Sequence, residues 1–279
     1  MSMKTAVITT AHGRHDHLRR QLEGISRSVT QPDVHVVVAM CDDAIAPLVT
    51  ERSDIGRTVQ MAVPAERLPL AAARNLGADT AIADGATLLV FLDVDCIPGP
   101  HMLDAYRRAA ADPLHTDALL CGPVTYLSPP GPGGYDLEAL PGAANPHPGR
   151  PAPQPNEVLV TAEYEYFWSL SFALTARTWS EIGGFCTAYS GYGGEDTDFA
   201  QVAASRDIGM RWVGGADAFH QYHPVSEPPV EHLDDIALNA NIFRERWGWW
   251  PMRGWLEEFT ARGLITWRGD QLVVTSVAR

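Results

Sequence analysis

Three short apolar runs punctuate the first third of the chain: "TAVIT" at 5–9, "VHVVVA" at 34–39 and "LLVFL" at 88–92. The last is almost without polar alternation, the pattern of a strand buried on both faces of a mostly parallel sheet. Between the runs, apolar residues recur at helical spacing. Leu18, Leu22 and Ile25 form one stripe; Leu70, Ala73, Leu76 and Thr80 form a second that stops near Gly85. After the turn "DVDCIPGP", Pro100 falls where the first turn of a helix tolerates proline, and Leu103, Tyr106 and Ala110 continue that helix. Strands alternating with helices predict an α/β doubly wound sheet, whose ligands collect at the carboxyl ends of the strands.

The pattern changes at Ser128. From there to Pro155 the chain is crowded with Pro and Gly and has no apolar period, which predicts a loop without a packed core, covering the site and ordering when ligand binds. Regular structure resumes at "EYFWSLSFALTARTW", a strand leading into a short helix. The tail from Glu231 to Gly263 carries Leu238, Ile242, Phe243 and Trp247 in helical register, followed by "RWGWWPMRGW", which reads as packing rather than a cofactor box. No internal repeat is present.

Composition narrows the function. A chain of 279 residues with 46% hydrophobic and 20% charged positions can bury a substantial core. Its formal net charge of −13 repels phosphate backbones and anionic membranes, so nucleic acid is not an expected partner. The N-terminus lacks a signal-type apolar run and no segment reaches the length of a membrane span, which together predict a soluble cytoplasmic protein. Cys41, Cys96, Cys121 and Cys186 lie far apart without metal-type spacing, and the expectation is buried reduced thiols.

Two acidic motifs carry chemistry. "FLDVDCIP" sets Asp93 and Asp95 at the end of the most apolar strand, where alternation along an extended backbone aims both to one side and could present them to a divalent cation. A turn that uses the aspartates structurally is the plain alternative. Downstream, "ADAFHQYHP" offers His220 and His223, and a histidine ligand tilts the choice from magnesium towards manganese. "GYGGEDTDFA" at 191–200 gathers Glu195, Asp196 and Asp198 at a helix start. Carboxylates there favour the helix dipole, but the same position could hold a catalytic base on a rigid element.

Four blocks together resemble the metal-dependent GT-A fold glycosyltransferases, inverting family-2-like enzymes with a C-terminal half similar to the β-1,4-galactosyltransferases. They are "AVITTAHGRHDHLRRQL", "LAAARNLGADTAIADGATLLVFLDVDCIP", "IGGFCTAYSGYGGEDTDF" and "AFHQYHP". The resemblance implies one domain, residues 1–230, with a nucleotide-sugar half at 1–125, an acceptor half at 126–230 and a C-terminal helical extension at 231–279. It implies that Thr10, Ala11 and His12 line a base pocket with Arg14 and Asp42 nearby, and that Arg74 and Asp93 complete the donor site. Asp95 and His220 would hold Mn2+ or Mg2+, with His223 as the other candidate. Asp196 would be the general base, and Glu195, Tyr192 and Trp168 would meet the acceptor.

Departures limit what transfers. Thr10 stands where the family commonly has proline, Tyr192 where the galactosyltransferases have tryptophan, and Ser169–Leu170 where they have a glycine pair. The implied reaction is inverting transfer of a hexosyl or N-acetylhexosaminyl group from a nucleotide sugar, with UDP as the expected nucleotide, to a hydroxyl of a small molecule or glycan. The cation would stabilise the leaving diphosphate, and Asp196 would take the hydroxyl proton. Two other functions use part of the pattern. A nucleotidyltransferase or sugar-nucleotide hydrolase would need the aspartates but not the "GYGGED" block, and a non-catalytic carbohydrate-binding protein would leave the aspartate pair unexplained.

Overall fold

The structure, a computed structural model, describes residues 3–62 and 67–275. The chain ends at 1–2 and 276–279, included in the expected domain boundaries, lie outside the described residues. Elements follow in the order β1 (Thr5–Ala11), α1 (His15–Ser26), β2 (Val34–Met40), α2 (Ile45–Arg52), β3 (Gly56–Met61), α3 (Leu70–Ala83), β4 (Leu88–Leu92), β5 (Cys96–Pro98) and α4 (Met102–Ala111). Then come β6 (Leu119–Cys121), β7 (Val124–Tyr126), β8 (Val158–Thr161), β9 (Ser171–Thr175), α5 (Ala176–Ile182), α6 (Glu195–Ser205), β10 (Met210–Val213) and β11 (Ala218–His220). The chain continues through α7 (Leu233–Trp247), α8 (Arg253–Ala261), β12 (Ile265–Arg268) and β13 (Gln271–Val274).

Eight strands form one mixed sheet in the order β3-β2-β1-β4-β9-β6-β10-β8. β1 pairs in parallel with both β2 and β4, so the connections leaving β1 and β3 run to opposite sides of it. Such a switch point opens a crevice at the carboxyl ends of the two strands, and the "HGR" and "DVD" turns occupy those ends. Complete burial of β1 and β4 accounts for the unbroken apolar sequence of β4 and for a β1 whose only polar side chains are threonines. A smaller sheet, β5-β11-β7, brings His220 beside Cys96 in antiparallel register, one residue from Asp95. The α/β class is therefore as the hydrophobic pattern predicts.

Several local expectations are corrected. Pro100 sits in a turn before α4, not in its first helical turn. Leu238 is 38% exposed, because the buried face of α7 runs through Leu233, Ile236, Ala240 and Phe243 instead. Of the four cysteines only Cys96 and Cys121 are buried; Cys41 is exposed and Cys186 half-buried. The Pro/Gly-rich segment is largely irregular, yet it is not devoid of packing. Leu137, Leu140 and Tyr135 pack on Ile97 and Phe219 in a small apolar cluster of their own.

Candidate active site

The "DVD" residues form a turn rather than an extended strand. The Cys96 amide donates to the Asp93 carbonyl at 2.8 Å, and this turn takes the two carboxylates to different partners. Gln21, wholly buried on α1, fixes the turn by donating to the carbonyls of Asp93 at 2.7 Å and Cys96 at 3.1 Å. Asp93 Oδ1 meets Arg74 Nη2 at 3.1 Å, and Arg74 Nη1 meets Glu195 Oε1 at 3.1 Å. Arg74 is 4% exposed, so one buried guanidinium on α3 holds together a carboxylate after β4 and another at the start of α6. Burial pushes the Asp93 carboxyl up, Arg74 opposes it and Asp95 adds to it, leaving it at about 6.

Asp95 turns to the histidines. Its Oδ2 lies 3.5 Å from His220 Nε2 and 3.5 Å from His223 Nε2. One donor atom from each of the three residues falls within 4.8 Å of the others. Burial works to raise the Asp95 carboxyl, but the two histidines together with Arg14 more than offset it and hold it below its ordinary range. Burial lowers the pKa of His220, keeping its imidazole in the neutral form that binds metals. A carboxylate oxygen and two imidazole nitrogens suit manganese or a similar divalent ion, so the chemistry of the donor set fits one. Both histidines of the motif reach the site.

The acidic helix start is built from left-handed glycines. Gly191, Gly193 and Gly194 have φ of 72°, 89° and 91°. A Cβ on Gly191 would lie 2.1 Å from Asp235 Oδ2, so the glycine admits α7 as well as shaping the loop. Glu195 is the first residue of α6 and Asp196 the second, while Phe199, Ala200 and Ala203 carry the helix into the core. Burial and the neighbouring Glu195 charge push the Asp196 carboxyl up to about 7, although the Thr197 amide donates to its Oδ1 at 2.7 Å. Glu195 Oε2 is buried without a hydrogen-bond partner among the described residues. Asp198, by contrast, is consumed structurally by Tyr189, Arg246 and Trp247.

Arg74, Asp93, Glu195 and Asp196 face a cleft of about 620 Å³ that Tyr192 and Trp168 also line, whereas Asp95, His220 and His223 are not among its lining residues. Ser169 and Leu170 line it too. Tyr192 stacks on His232 with ring centroids 4.4 Å apart and remains 37% exposed at the rim. His147, from the Pro/Gly-rich segment, packs edge-on against Trp168 at 5.0 Å. Behind Trp168, Arg150 is inserted between two indoles, 4.9 Å from the Trp168 ring and 4.6 Å from the Trp212 ring.

Two parts of the site were not anticipated. "RWGWWPMRGW" is more than packing: Trp249, Met252, Arg253 and Trp255 form a wall of the cleft. Tryptophan density alone could not distinguish a wall from a core. The second is His147, whose Pro/Gly-rich setting gave no signal beyond a generic cover.

The expected base-binding residues lie together on the neighbouring stretch of the carboxyl edge, outside the cleft lining. Thr10 and Ala11 are buried at the end of β1, while His12 and Arg14 are exposed on the following turn. Asp42 organises that turn, accepting from the Gly13 amide at 2.7 Å and facing His15 Nε2 at 2.8 Å. Burial opposes its ionisation, but these contacts and the Ala44 amide hold its carboxyl below the ordinary range.

Comparison with known proteins agrees with this architecture. The family model for the N-terminal domain of galactosyltransferase matches residues 156–224, which include the "GYGGED" block and both histidines. Among solved structures, S. aureus TarS 1–349 in complex with UDP-GlcNAc superposes with a TM-score of 0.59 at 13% identity, covering 85% of this chain and 66% of that one. The complex of TarS 1–349 with UDP gives 0.57 at 14% identity, covering 85% and 64%. A longer S. aureus TarS structure gives 0.57 at 13%, covering 85% and 39%. This chain thus spans less than two thirds of the length of these structures. No curated protein sequence matches it. The chain has a GT-A glycosyltransferase fold whose second half carries the galactosyltransferase pattern. No described helix is long and apolar enough to cross a membrane.

Proposed function

We propose that the chain is an inverting glycosyltransferase that moves a hexosyl or N-acetylhexosaminyl group from a UDP-sugar to an acceptor hydroxyl. The observation that carries this reading is Asp196. It is a carboxylate at a rigid helix start, inside a cleft, with a pKa raised to about 7, and a base poised near neutrality is suited to accepting a hydroxyl proton. UDP complexes among proteins of the same fold support the choice of donor nucleotide.

In this reading the acceptor hydroxyl sits between Asp196 and Glu195. Asp196 takes its proton as the oxygen bonds to the anomeric carbon, and the bond from that carbon to the diphosphate breaks. Attack from the face opposite the diphosphate inverts the centre without a covalent enzyme intermediate. Arg74 keeps Asp93 and Glu195 oriented, while Trp168 and Tyr192 offer ring faces to sugars. A divalent cation held by Asp95, His220 and His223 would supply positive charge to the leaving diphosphate.

The test is nucleotide release from a panel of UDP-sugars with manganese, in the presence and absence of pooled sugar acceptors. Release that depends on acceptor supports transfer. Equal release without acceptor points to a hydrolase. Neither release nor UDP binding with any donor would overturn the reading.

A further inference from the structure

We propose that the groove between α8 and the β12–β13 hairpin is a distal saccharide subsite, which holds the non-reacting end of an extended acceptor glycan. The inference rests on the reading of the neighbouring cleft as a glycosyl-transfer site. Arg253, Leu256, Glu257, Thr260 and Ala261 succeed one another along a single face of α8 and line the groove. Trp250 precedes the helix and Trp267 projects from β12, with their rings edge to face at 4.9 Å. The groove lies open to solvent and offers about 550 Å³, within the roughly 300–1,000 Å³ of small-molecule sites.

Arg253 lines both the groove and the cleft, so a single side chain at the start of α8 stands between the two cavities. An acceptor long enough to pass over Arg253 would next meet the indoles of the groove. The surrounding chemistry selects a sugar as its occupant. Indole packs against the C–H face of a pyranose, while the Arg253 guanidinium, Glu257 carboxylate and Thr260 hydroxyl can bond its hydroxyl rim. A lipid surface is disfavoured, because Glu257 sits in the groove and the chain carries a net charge of −13. Trp267 is 43% exposed, leaving ring surface for a ligand.

The test is calorimetry on the full chain with UDP and manganese, titrated with malto-, cello- and chito-oligosaccharides of one to four units. Affinity for at least one series should rise about tenfold with length. Trp267→Ala and Thr260→Arg should each abolish that rise while single-unit affinity and UDP binding stay unchanged. Thr260→Arg fills the groove from an exposed position and leaves its apolar walls intact, which separates blockage from misfolding. The proposal is overturned if no series gains with length, or if both variants keep the gain. It is equally overturned if Trp267→Ala instead abolishes pelleting with phosphatidylglycerol vesicles or a sedimenting dimer. Failure of the wild-type chain to bind UDP would overturn the cleft reading, and this inference with it.

Discussion

Asp198 follows Asp196 by two positions on α6, yet the two carboxylates have opposite surroundings. Asp198 Oδ1 accepts from Tyr189 Oη at 3.1 Å, Arg246 Nε at 2.6 Å and Trp247 Nε1 at 2.7 Å, whereas among the described residues Asp196 Oδ1 accepts only from Thr197. One ties the helix to α7; the other is left to face the cleft. Asp198→Ala should therefore destabilise the fold by about 1–3 kcal/mol, because it strands the Tyr189 hydroxyl and the Trp247 indole N–H, while the exposed Arg246 guanidinium is rehydrated. Urea unfolding measures the loss. A change below about 0.5 kcal/mol, typical of a surface substitution, would remove the anchoring role.

Asp196→Asn separates chemistry from stability. Its turnover should fall by roughly 10²-fold or more with little change in UDP affinity, since the amide cannot accept the proton. In the wild type, turnover should rise with pH to a plateau above about 7, the value to which burial and Glu195 push this carboxyl against the pull of Arg74. Near-wild-type turnover by the purified variant would exclude Asp196 as the base.

The same shift fixes a stability trend. A carboxyl raised from 3.8 to about 7 on folding costs stability as pH climbs between those values, and the cost is absent below the lower one. Asp196→Asn should melt at a higher temperature than wild type at pH 8, with the gap closing towards pH 4. The helix-dipole argument from sequence gives the opposite sign at pH 8, so thermal melts at both pH values decide between burial and dipole.

His220→Ala and His223→Ala should each weaken manganese-dependent UDP binding. The loss should be no smaller than the roughly 10–100-fold that outer partners of metal sites cost. Sequence left the choice between the two histidines open. Their equal 3.5 Å approach to Asp95 predicts comparable losses, measurable by calorimetry. Full manganese-dependent binding in the double variant would refute the metal assignment.

The Pro/Gly-rich segment should be cut by protease first between 141 and 145, where every residue is exposed, and slowly around Arg150, which is 6% exposed between Trp168 and Trp212. UDP with manganese should slow the first cleavage if the segment covers the donor. Mass spectrometry of timed digests reads both rates, and identical rates with and without ligand argue against a cover.

What was legible in the sequence follows from burial. β1, β2 and β4 are buried nearly throughout, so their apolar runs stand out, and α1 announced itself because one face is core and the other solvent. β3 lies at the sheet edge with mixed burial, and "GRTVQM" carried no comparable signal. The β12–β13 hairpin has only Ile265 and Leu272 buried, which left it equally silent. For the site, charged groups close to one another in sequence were readable, as in "GGEDTD" and "HQYH". Arg74 was noted only through its place in a resembling block. Its joining of Asp93 to Glu195 is a tertiary fact that spacing cannot encode. The different partners of Asp93 and Asp95 were hidden for a related reason, since a turn replaces the strand that alternation assumed.

The cleft wall from Trp249 to Trp255 connects two helices and has a peculiar freedom. Its upstream support, α7, is fastened to the rest of the molecule by Arg246, by Asn239 donating to the carbonyls of Ser190 and Tyr192, and by Asp235 paired with Arg67. None of those fastenings uses the connector itself. Substitutions there leave Arg74 bridging Asp93 and Glu195, so under the proposed function descendants of one ancestor could acquire new acceptors by changing a single bridge while inheriting the donor half untouched.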